Sequence, residues 1–333
     1  MAKLALRPAK PVRVKSGLQR AARLADPLPV KRPRPRGAGD WFAGVALGPT
    51  GARRYRLYRP SNLQSGEQLP LLVMLHGCGQ DAESFASSTR MNAIAARERF
   101  LVLYPEQERL ANAHGCWNWF ETRSGRAQSE VALITAAIDQ VCALYRADRA
   151  RVAICGLSAG ASMAALVALR HPDRFNAIVM HSGVPPGVAQ SSASALAAMR
   201  GQRVGTQALV SSAVAHTAGL PPLLAIHGAD DRMVAPSNSR HTVLGWALAG
   251  SALAHSAGGL PAARATTWRR VQRGRRHAMR VVDFRRCGRN AVSLVEIEHL
   301  GHAWSGGASG QPFSDAAGPD ASRMAWAFVK KYL

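Results

Sequence analysis

The pentapeptide Gly-Leu-Ser-Ala-Gly at residues 156–160 places Ser158 between two glycines. The apolar run before it predicts a buried strand, and the alanine-rich run after it predicts a helix. A serine on a sharp strand-to-helix turn stands clear of the sheet, beside unpaired N–H groups of the helix that stabilise developing negative charge. The pattern predicts a nucleophilic serine, although an ordinary strand–helix turn capped by serine would show it too.

A nucleophilic serine needs a histidine as base and an acid that orients the histidine. After this kind of strand–turn–helix unit, the acid and then the histidine follow the serine along the chain. Asp230 and Asp231 follow the apolar run PPLLAIHG, and His299 and His302 follow the run VSLVEI. His302 lies in the loop and is the better base, because His299 is at the end of the strand. These residues leave the choice between the two aspartates open.

The tetrahedral intermediate of acyl transfer carries a negative oxygen that needs two N–H donors. The backbone amide of Ala159, directly after the serine, is one candidate. The second is the amide of Cys78 in the segment HGCGQ, which follows another apolar run. These residues together predict a serine hydrolase, for which we expect neither a cofactor nor a metal.

The elements that must position these residues alternate along the chain. Apolar runs rich in Val, Ile and Leu predict strands buried on both faces, at residues 69–77, 99–105, 151–156, 176–183 and 221–228. Helices are predicted at 129–148, with Ser129 as the N-cap, and at 158–172. This alternation predicts an α/β fold with a mostly parallel central sheet and helices on both faces. Such sheets bind ligands at the carboxyl ends of their strands, where the reactive residues lie.

The chain has 333 residues and a formal net charge of +23. Residues 1–40 hold eleven Lys or Arg against two Asp, with several prolines, and predict a mobile basic arm before a catalytic domain at 41–333. This charge favours an anionic partner such as a polymer granule or a membrane surface, with a plain solvated surface as the alternative. A second basic run, residues 268–289, alternates with apolar residues and predicts strands whose arginines face solvent.

No run of about 18 apolar residues is present, so no membrane span is predicted. The first thirty residues lack the apolar stretch of a secretory signal, so we expect a cytoplasmic protein, with an extracellular one as the alternative. The five cysteines show neither metal-binding spacing nor an obvious disulfide framework.

Six segments between about residues 69 and 328 form a specific combination: LHGCGQ, CWNWF, GLSAGASMA, HGADDRMV, LGHAWSGG and GPDASRMAWAF. Together they resemble the poly(3-hydroxybutyrate) depolymerase family of α/β-hydrolase esterases. The family's HGxxDxxV motif places the acid at Asp231, and its histidine falls on His302. The resemblance implies a polyester or small acyl-ester substrate. Poly(3-hydroxybutyrate) or its oligomers come first, with feruloyl or acetyl-xylan esters as the alternative.

Three tryptophans, Trp117, Trp119 and Trp304, are candidate substrate-binding residues, because aromatic rings offer a large contact area to an acyl chain. Packing against the sheet is the alternative. Cys78 and Cys116 lie in family motifs near the cleft, but the sequence does not give the Cα separation that pairing requires.

The basic charge also suggests a different class of function, an anionic-polymer or nucleic-acid binding protein on a hydrolase scaffold. The three reactive groups in their required order argue against this class. No specific nucleic-acid motif lies within the basic runs.

Overall fold

The computed structural model describes residue 35 and residues 37–203, 219–249, 264–286 and 289–333. Ten strands form its main sheet: β1 Gly39–Gly48, β2 Gly51–Pro60, β3 Leu69–Leu75, β4 Leu101–Pro105, β5 Ala147–Leu157, β6 Ala177–His181, β7 Leu223–Gly228, β8 Arg264–Val271, β9 Met279–Arg286 and β10 Arg289–Ile297. Two short strands, β11 Trp304–Ser305 and β12 Ser314–Asp315, pair separately.

The described α-helices lie between and after these strands: α1 Ala82–Thr89, α2 Met91–Glu98, α3 Arg126–Leu144, α4 Ala159–Arg170, α5 Ser192–Met199, α6 Ser237–Leu248 and α7 Ala321–Val329. None of the helices in the described ranges is long and apolar enough to cross a membrane.

The strand order in the main sheet is β1-β2-β4-β3-β5-β6-β7-β10-β9-β8. The six strands from β4 to β10 in this order are parallel, and antiparallel strands extend the sheet at both ends. This mostly parallel sheet confirms the predicted fold class. The five apolar runs form β3 to β7, because strands in the middle of such a sheet need apolar side chains on both faces.

Two apolar cores cover the two faces of the sheet. Alternate residues of β3 belong to different cores: Leu71 and Val73 pack with α3 and α4, whereas Leu72 and Met74 pack with α1, α2 and α7. This division follows from the two-residue period of a strand. The helices therefore lie on both faces, as predicted.

The start of α3 differs from the prediction. Its N-cap is Gly125, in the left-handed region at φ 79°, rather than Ser129. Ser129 lies one turn inside the helix, and its Oγ donates to the Gly125 carbonyl oxygen at 3.1 Å. The helix also ends at Leu144 rather than at 148, because β5 already begins at Ala147.

The predicted basic arm spans residues 1–40, and most of it, residues 1–34 and 36, lies outside the described residues. The end of the predicted arm is described and belongs to β1. Gly39 and Asp40 pair with Pro60 and Arg59 in the first antiparallel ladder. The Asp40 carboxylate also forms an ion pair with Arg59 at 2.6 Å. The folded chain thus begins slightly earlier than residue 41.

Candidate active site

Ser158 lies on the turn between β5 and α4, with φ 57° and ψ −121°. This backbone conformation is strained for a residue with a side chain, and such strain is characteristic of functional sites. The Ser158 N–H donates to the carbonyl oxygen of His181 at 2.8 Å, which anchors the turn to the neighbouring strand β6.

The two glycines around Ser158 are required by close packing. A Cβ on Gly160 would lie 2.2 Å from the Leu75 carbonyl oxygen and 2.5 Å from that of His76. A Cβ on Gly156 would lie 2.3 Å from backbone atoms of Gly160. The absence of side chains at both positions therefore lets the end of β3 and the start of α4 approach the serine turn.

Ser158, His302 and Asp231 form one continuous hydrogen-bonded chain. His302 Nε2 lies 2.9 Å from Ser158 Oγ, and His302 Nδ1 lies 2.7 Å from Asp231 Oδ2. Asp231 follows β7 and His302 follows β10, and these two strands are neighbours in the sheet. The structure therefore brings together the three residues predicted as nucleophile, base and acid.

The Asp231 carboxylate is enclosed by donors. Its Oδ1 accepts from the backbone N–H groups of Met233 at 3.0 Å and Val234 at 2.8 Å. Although burial alone would raise the pKa of Asp231, hydrogen bonds from His227 and His302 hold that pKa well below its usual range. Asp231 is therefore an anion that can stabilise a protonated His302.

His227 is a second histidine on the same carboxylate, and the sequence did not assign it a role. Its Nε2 lies 3.3 Å from Asp231 Oδ2 and 2.9 Å from the Val234 carbonyl oxygen. Two acceptors at Nε2 require a proton on that nitrogen. The other ring nitrogen, Nδ1, lies 2.5 Å from the Ser239 hydroxyl oxygen. His227 thereby holds the same carboxylate oxygen, Oδ2, that His302 contacts.

The other two candidates from the sequence lie away from this chain. Asp230 and His299 form a solvent-exposed pair, with His299 Nδ1 3.8 Å from Asp230 Oδ2 and side chains 76% and 62% exposed for His299 and Asp230 respectively. The choice between the two aspartates, which the residues alone left open, thus falls on Asp231 by geometry.

The two predicted oxyanion donors flank the serine turn. Ala159 is the first residue of α4, where helical N–H groups have no partner within the helix. Cys78 lies just past β3, whose Leu75 pairs with Gly156 of β5. Across the described residues, neither backbone amide donates a hydrogen bond to another protein atom. Both amides are therefore free to bind a negatively charged oxygen.

Cys78 also forms a disulfide with Cys116, with a Cα–Cα distance of 4.3 Å. This pairing, which the sequence left undecided, ties the segment with the oxyanion donor to a loop between β4 and α3.

Two of the three candidate substrate-binding tryptophans are structural. Trp117 is fully buried, and its Nε1 donates to the His76 carbonyl oxygen at 3.0 Å. Trp304 is also fully buried, and its Nε1 donates to Ser322 Oγ at 3.0 Å. The prediction of substrate contact is wrong for these two rings, because protein atoms enclose them completely. Trp119 is 6% exposed, and its role stays a prediction.

In the described ranges, no cluster of three or more His, Cys, Asp or Glu side chains has the arrangement of a metal site.

A strained serine turn after a parallel strand, with the acid and the histidine after later neighbouring strands, defines the α/β-hydrolase class. The chain belongs to the Esterase PHB depolymerase family, whose model matches residues 53–264. This is a family of carboxylic ester hydrolases. The match ends before His302, so the histidine of the site is supplied by the segment that follows it.

Two relatives illustrate the range of the family. Poly(3-hydroxyalkanoate) depolymerase C from Paucimonas lemoignei is 34% identical over 198 residues, which cover 55% of this chain and 48% of the relative. Feruloyl esterase B from Neurospora crassa is 31% identical over 147 residues, covering 44% of this chain and 49% of the relative. The chain thus spans about half the length of each.

The fold is also similar to that of an acetyl xylan esterase from Aspergillus awamori. The two superpose with a TM-score of 0.59 at 19% sequence identity, over 80% of this chain and 94% of the other. This similarity supports the fold and carries no argument about the substrate.

Proposed function

We propose that this protein is a serine esterase that hydrolyses the ester bonds of poly(3-hydroxybutyrate) or its soluble oligomers. The observation that carries the proposal is the hydrogen-bonded chain from Ser158 through His302 to Asp231. The choice of a polyester substrate rests on the family and on the 34% identity to a poly(3-hydroxyalkanoate) depolymerase.

In the first half of the reaction, Ser158 Oγ attacks the ester carbonyl carbon while His302 Nε2 takes the hydroxyl proton. The Asp231 anion stabilises the imidazolium through Nδ1. The carbonyl oxygen becomes negative and accepts hydrogen bonds from the amides of Cys78 and Ala159. The tetrahedral intermediate collapses as His302 returns the proton to the leaving alcohol, which leaves an acyl group on Ser158.

In the second half, water replaces the alcohol. His302 takes a proton from the water as its oxygen attacks the acyl carbon, and the same two amides bind the second oxyanion. Collapse releases the acid and returns the proton to Ser158 Oγ. Each proton moves among Ser158, His302, the substrate and water.

The first test is the Ser158→Ala variant with p-nitrophenyl butyrate as substrate. We expect kcat to fall about 10⁵–10⁶-fold, because the remaining groups cannot form the acyl-enzyme. Ser129→Ala is the matched control, since the Ser129 hydroxyl bonds, within the described part of the chain, only to the carbonyl oxygen of Gly125, the N-cap of α3. A folded Ser158→Ala variant with near-normal turnover would exclude the mechanism.

A second candidate is an esterase for acyl groups on carbohydrate, which the 31% identity to feruloyl esterase B favours. The two are separated by kcat/KM on poly(3-hydroxybutyrate), its soluble oligomers, methyl ferulate and acetylated xylan. We expect the hydroxybutyrate esters to rank first. A higher kcat/KM for methyl ferulate or acetylated xylan would exclude the polyester as the preferred substrate and leave the esterase activity unchanged.

The binding-protein alternative makes a different prediction for the same panel: no hydrolysis of any ester, with retention on an anionic polymer.

The Cys78–Cys116 disulfide bears on the compartment in which the protein works. Disulfides persist in oxidising compartments, so this bond supports the extracellular alternative over the cytoplasmic expectation.

A further inference from the structure

The segment that carries Cys78 is held by a second loop. We call residues 76–80 the oxyanion loop and residues 106–118 the support loop. Besides the disulfide, three hydrogen bonds join them. The Gln107 N–H donates to His76 Nε2 at 3.1 Å, Trp117 Nε1 donates to the His76 carbonyl oxygen at 3.0 Å, and the Gly79 N–H donates to the carbonyl oxygen of His114 at 2.9 Å.

His76 can accept the Gln107 bond because its ring is neutral. Burial lowers the pKa of His76 to about 4. With Nε2 as the acceptor, the proton lies on Nδ1, which donates to the Gly77 carbonyl oxygen at 2.8 Å. The position of the oxyanion loop therefore depends on where the support loop lies.

The support loop is held in turn by Glu130, which projects from α3 and is only 2% exposed. Glu130 Oε2 accepts from the Asn118 N–H at 2.9 Å, and Oε1 accepts from Asn118 Nδ2 at 2.6 Å and Gln107 Nε2 at 2.5 Å. Gln107 Nε2 also donates to the Cys116 carbonyl oxygen at 2.9 Å. One carboxylate thus binds the support loop on both sides of the disulfide cysteine.

The Gln107 amide bridges Glu130 and a buried arginine, Arg53. Arg53 Nη1 donates to Gln107 Oε1 at 2.6 Å, while Gln107 Nε2 donates to Glu130. Burial raises the pKa of Glu130, and its hydrogen bonds with Gln107 and Asn118 oppose that rise. Bonds to an ionised acceptor are about twice as strong as neutral ones, which suits this carboxylate to fixing a loop.

We propose that Glu130 is a positioning residue for the oxyanion hole, acting on the Cys78 amide through the support loop and the Cys78–Cys116 disulfide. The proposal rests on the esterase function proposed above. Glu130 does not touch the reacting atoms; it contacts the support loop, which in turn is bonded to the oxyanion loop. It determines where one of the two donors stands, whereas Ala159 is placed by α4.

The Glu130→Gln variant tests this role, because it keeps the size of the side chain and removes its charge. The new amide group would face the Asn118 N–H or the Gln107 amide, so at least one bond to the support loop is lost. Removing a whole oxyanion donor costs about 10²–10³ in kcat, so a displaced donor should cost about 10- to 100-fold. KM should change little, since the oxyanion exists only after the attack.

The second readout is the affinity of a trifluoromethyl ketone. Ser158 Oγ adds to the ketone carbonyl carbon and forms a stable tetrahedral adduct whose oxygen is negatively charged. We expect the inhibition constant of the ketone to rise by the same factor as kcat falls, a pattern that general loosening of the fold would not produce. Glu121→Gln is the matched control. It removes a charge just before α3, and among the described residues its carboxylate bonds only to Ser124 and Arg126.

The route through the Cys78–Cys116 disulfide is tested by combining Glu130→Gln with a variant that removes the disulfide. Cys116→Ser cuts the tether and leaves the Cys78 amide in the chain. If Glu130 acts through this tether, Glu130→Gln should cost less in the Cys116→Ser background than in the native chain. If Glu130→Gln does not fold, Asn118→Ala, which removes one donor to the carboxylate, should show the same fall in kcat at unchanged KM.

The outcomes separate the two proposals. A Glu130→Gln enzyme with native kcat and native ketone affinity, or with a change in KM alone, overturns the positioning role and leaves the esterase intact. Fully additive losses in the double variant overturn the route through the disulfide. A native protein that neither hydrolyses esters nor binds the ketone overturns both proposals.

Discussion

The Asp231 carboxylate accepts hydrogen bonds on both oxygens, while the adjacent Asp230 faces solvent beside His299. Asp231→Asn should lower kcat about 10⁴-fold, because the amide would favour the wrong tautomer of His302. Asp230→Asn is the matched control and should stay close to native turnover. Steady-state kinetics on p-nitrophenyl butyrate measure both variants. A larger fall in kcat for Asp230→Asn than for Asp231→Asn would assign the role of the acid to Asp230.

The three residues of the hydrogen-bonded chain were predictable because each follows a recognisable apolar strand. Glu130 and His227 were not, since no sequence pattern marks them as functional and their roles depend on side-chain contacts that only the folded loops show. The buried tryptophans Trp117 and Trp304 were misassigned for a related reason. An aromatic residue near a motif suits a cleft and a core equally well until its neighbours are known.

The elements around the serine are packed backbone against backbone at Gly160. Gly160→Ala would press its Cβ against the carbonyl oxygens of Leu75 and His76, and so push the oxyanion loop away from Ser158. Overpacking of this kind costs about 1–3 kcal/mol of the free energy of unfolding, and we expect kcat to fall at least about 100-fold as the donor moves.

Gly245→Ala in α6 is the control, because a Cβ there meets no described atom within 4 Å beyond the adjacent backbone of its own helix. It should stabilise the helix by about 0.5–1 kcal/mol and leave turnover unchanged. Thermal unfolding and kinetics of the two variants give the comparison. Native activity in Gly160→Ala would show that the turn tolerates a side chain.

Element types followed from hydrophobic patterning, whereas element ends did not. Runs of buried residues in β3 to β7 are dictated by a sheet covered on both faces. The N-cap of α3 depends on the backbone: Gly125 adopts a left-handed conformation there. The sequence favours the nearby Ser129 instead, because serine is a common N-cap residue. The antiparallel strands at the two sheet edges carry weaker patterns: only Ala46 of β1 is fully buried, and residues 267–270 of β8 are all exposed.

At the scale of the whole molecule, acid should weaken the fold through two buried histidines. Burial lowers the pKa of His76 to about 4 and of His181 to about 3, so both rings are neutral when folded. In the unfolded chain a histidine takes up a proton below about pH 6.5. The free energy of unfolding should therefore fall between about pH 6.5 and pH 4, by up to about 1.4 kcal/mol per pH unit for each ring.

His181→Gln tests this effect, because the glutamine oxygen can accept the Ser305 N–H that His181 Nε2 now accepts. Thermal unfolding measured across the acidic range should show a shallower loss of stability than in the native chain. His114→Gln, at an exposed position, should keep the native slope. Identical slopes in all three proteins would exclude His181 as a source of acid sensitivity.

The basic arm proposed for the start of the chain is tested by deleting residues 1–34, which leaves β1 complete. Turnover of a soluble ester should stay native, because the site residues all lie downstream. Adsorption to phosphatidylserine vesicles should weaken, since each basic residue near an anionic membrane contributes about 1 kcal/mol. The full chain should also lose adsorption steeply with salt, as the Debye length is about 8 Å at physiological ionic strength. A lower unfolding temperature of the shortened protein would assign the arm to the folded domain.

The Cys78–Cys116 bond closes a covalent ring of chain that contains α1, α2 and β4, and Arg109 and Leu110 lie exposed on this ring. A tryptic cut after Arg109 would open the ring without releasing a fragment. The nicked protein would migrate as one band without reductant and as two with it. Its oxyanion hole would then be assembled from two polypeptides, the Cys78 amide from one and Ser158 with the Ala159 amide from the other, joined covalently by a single pair of sulfur atoms.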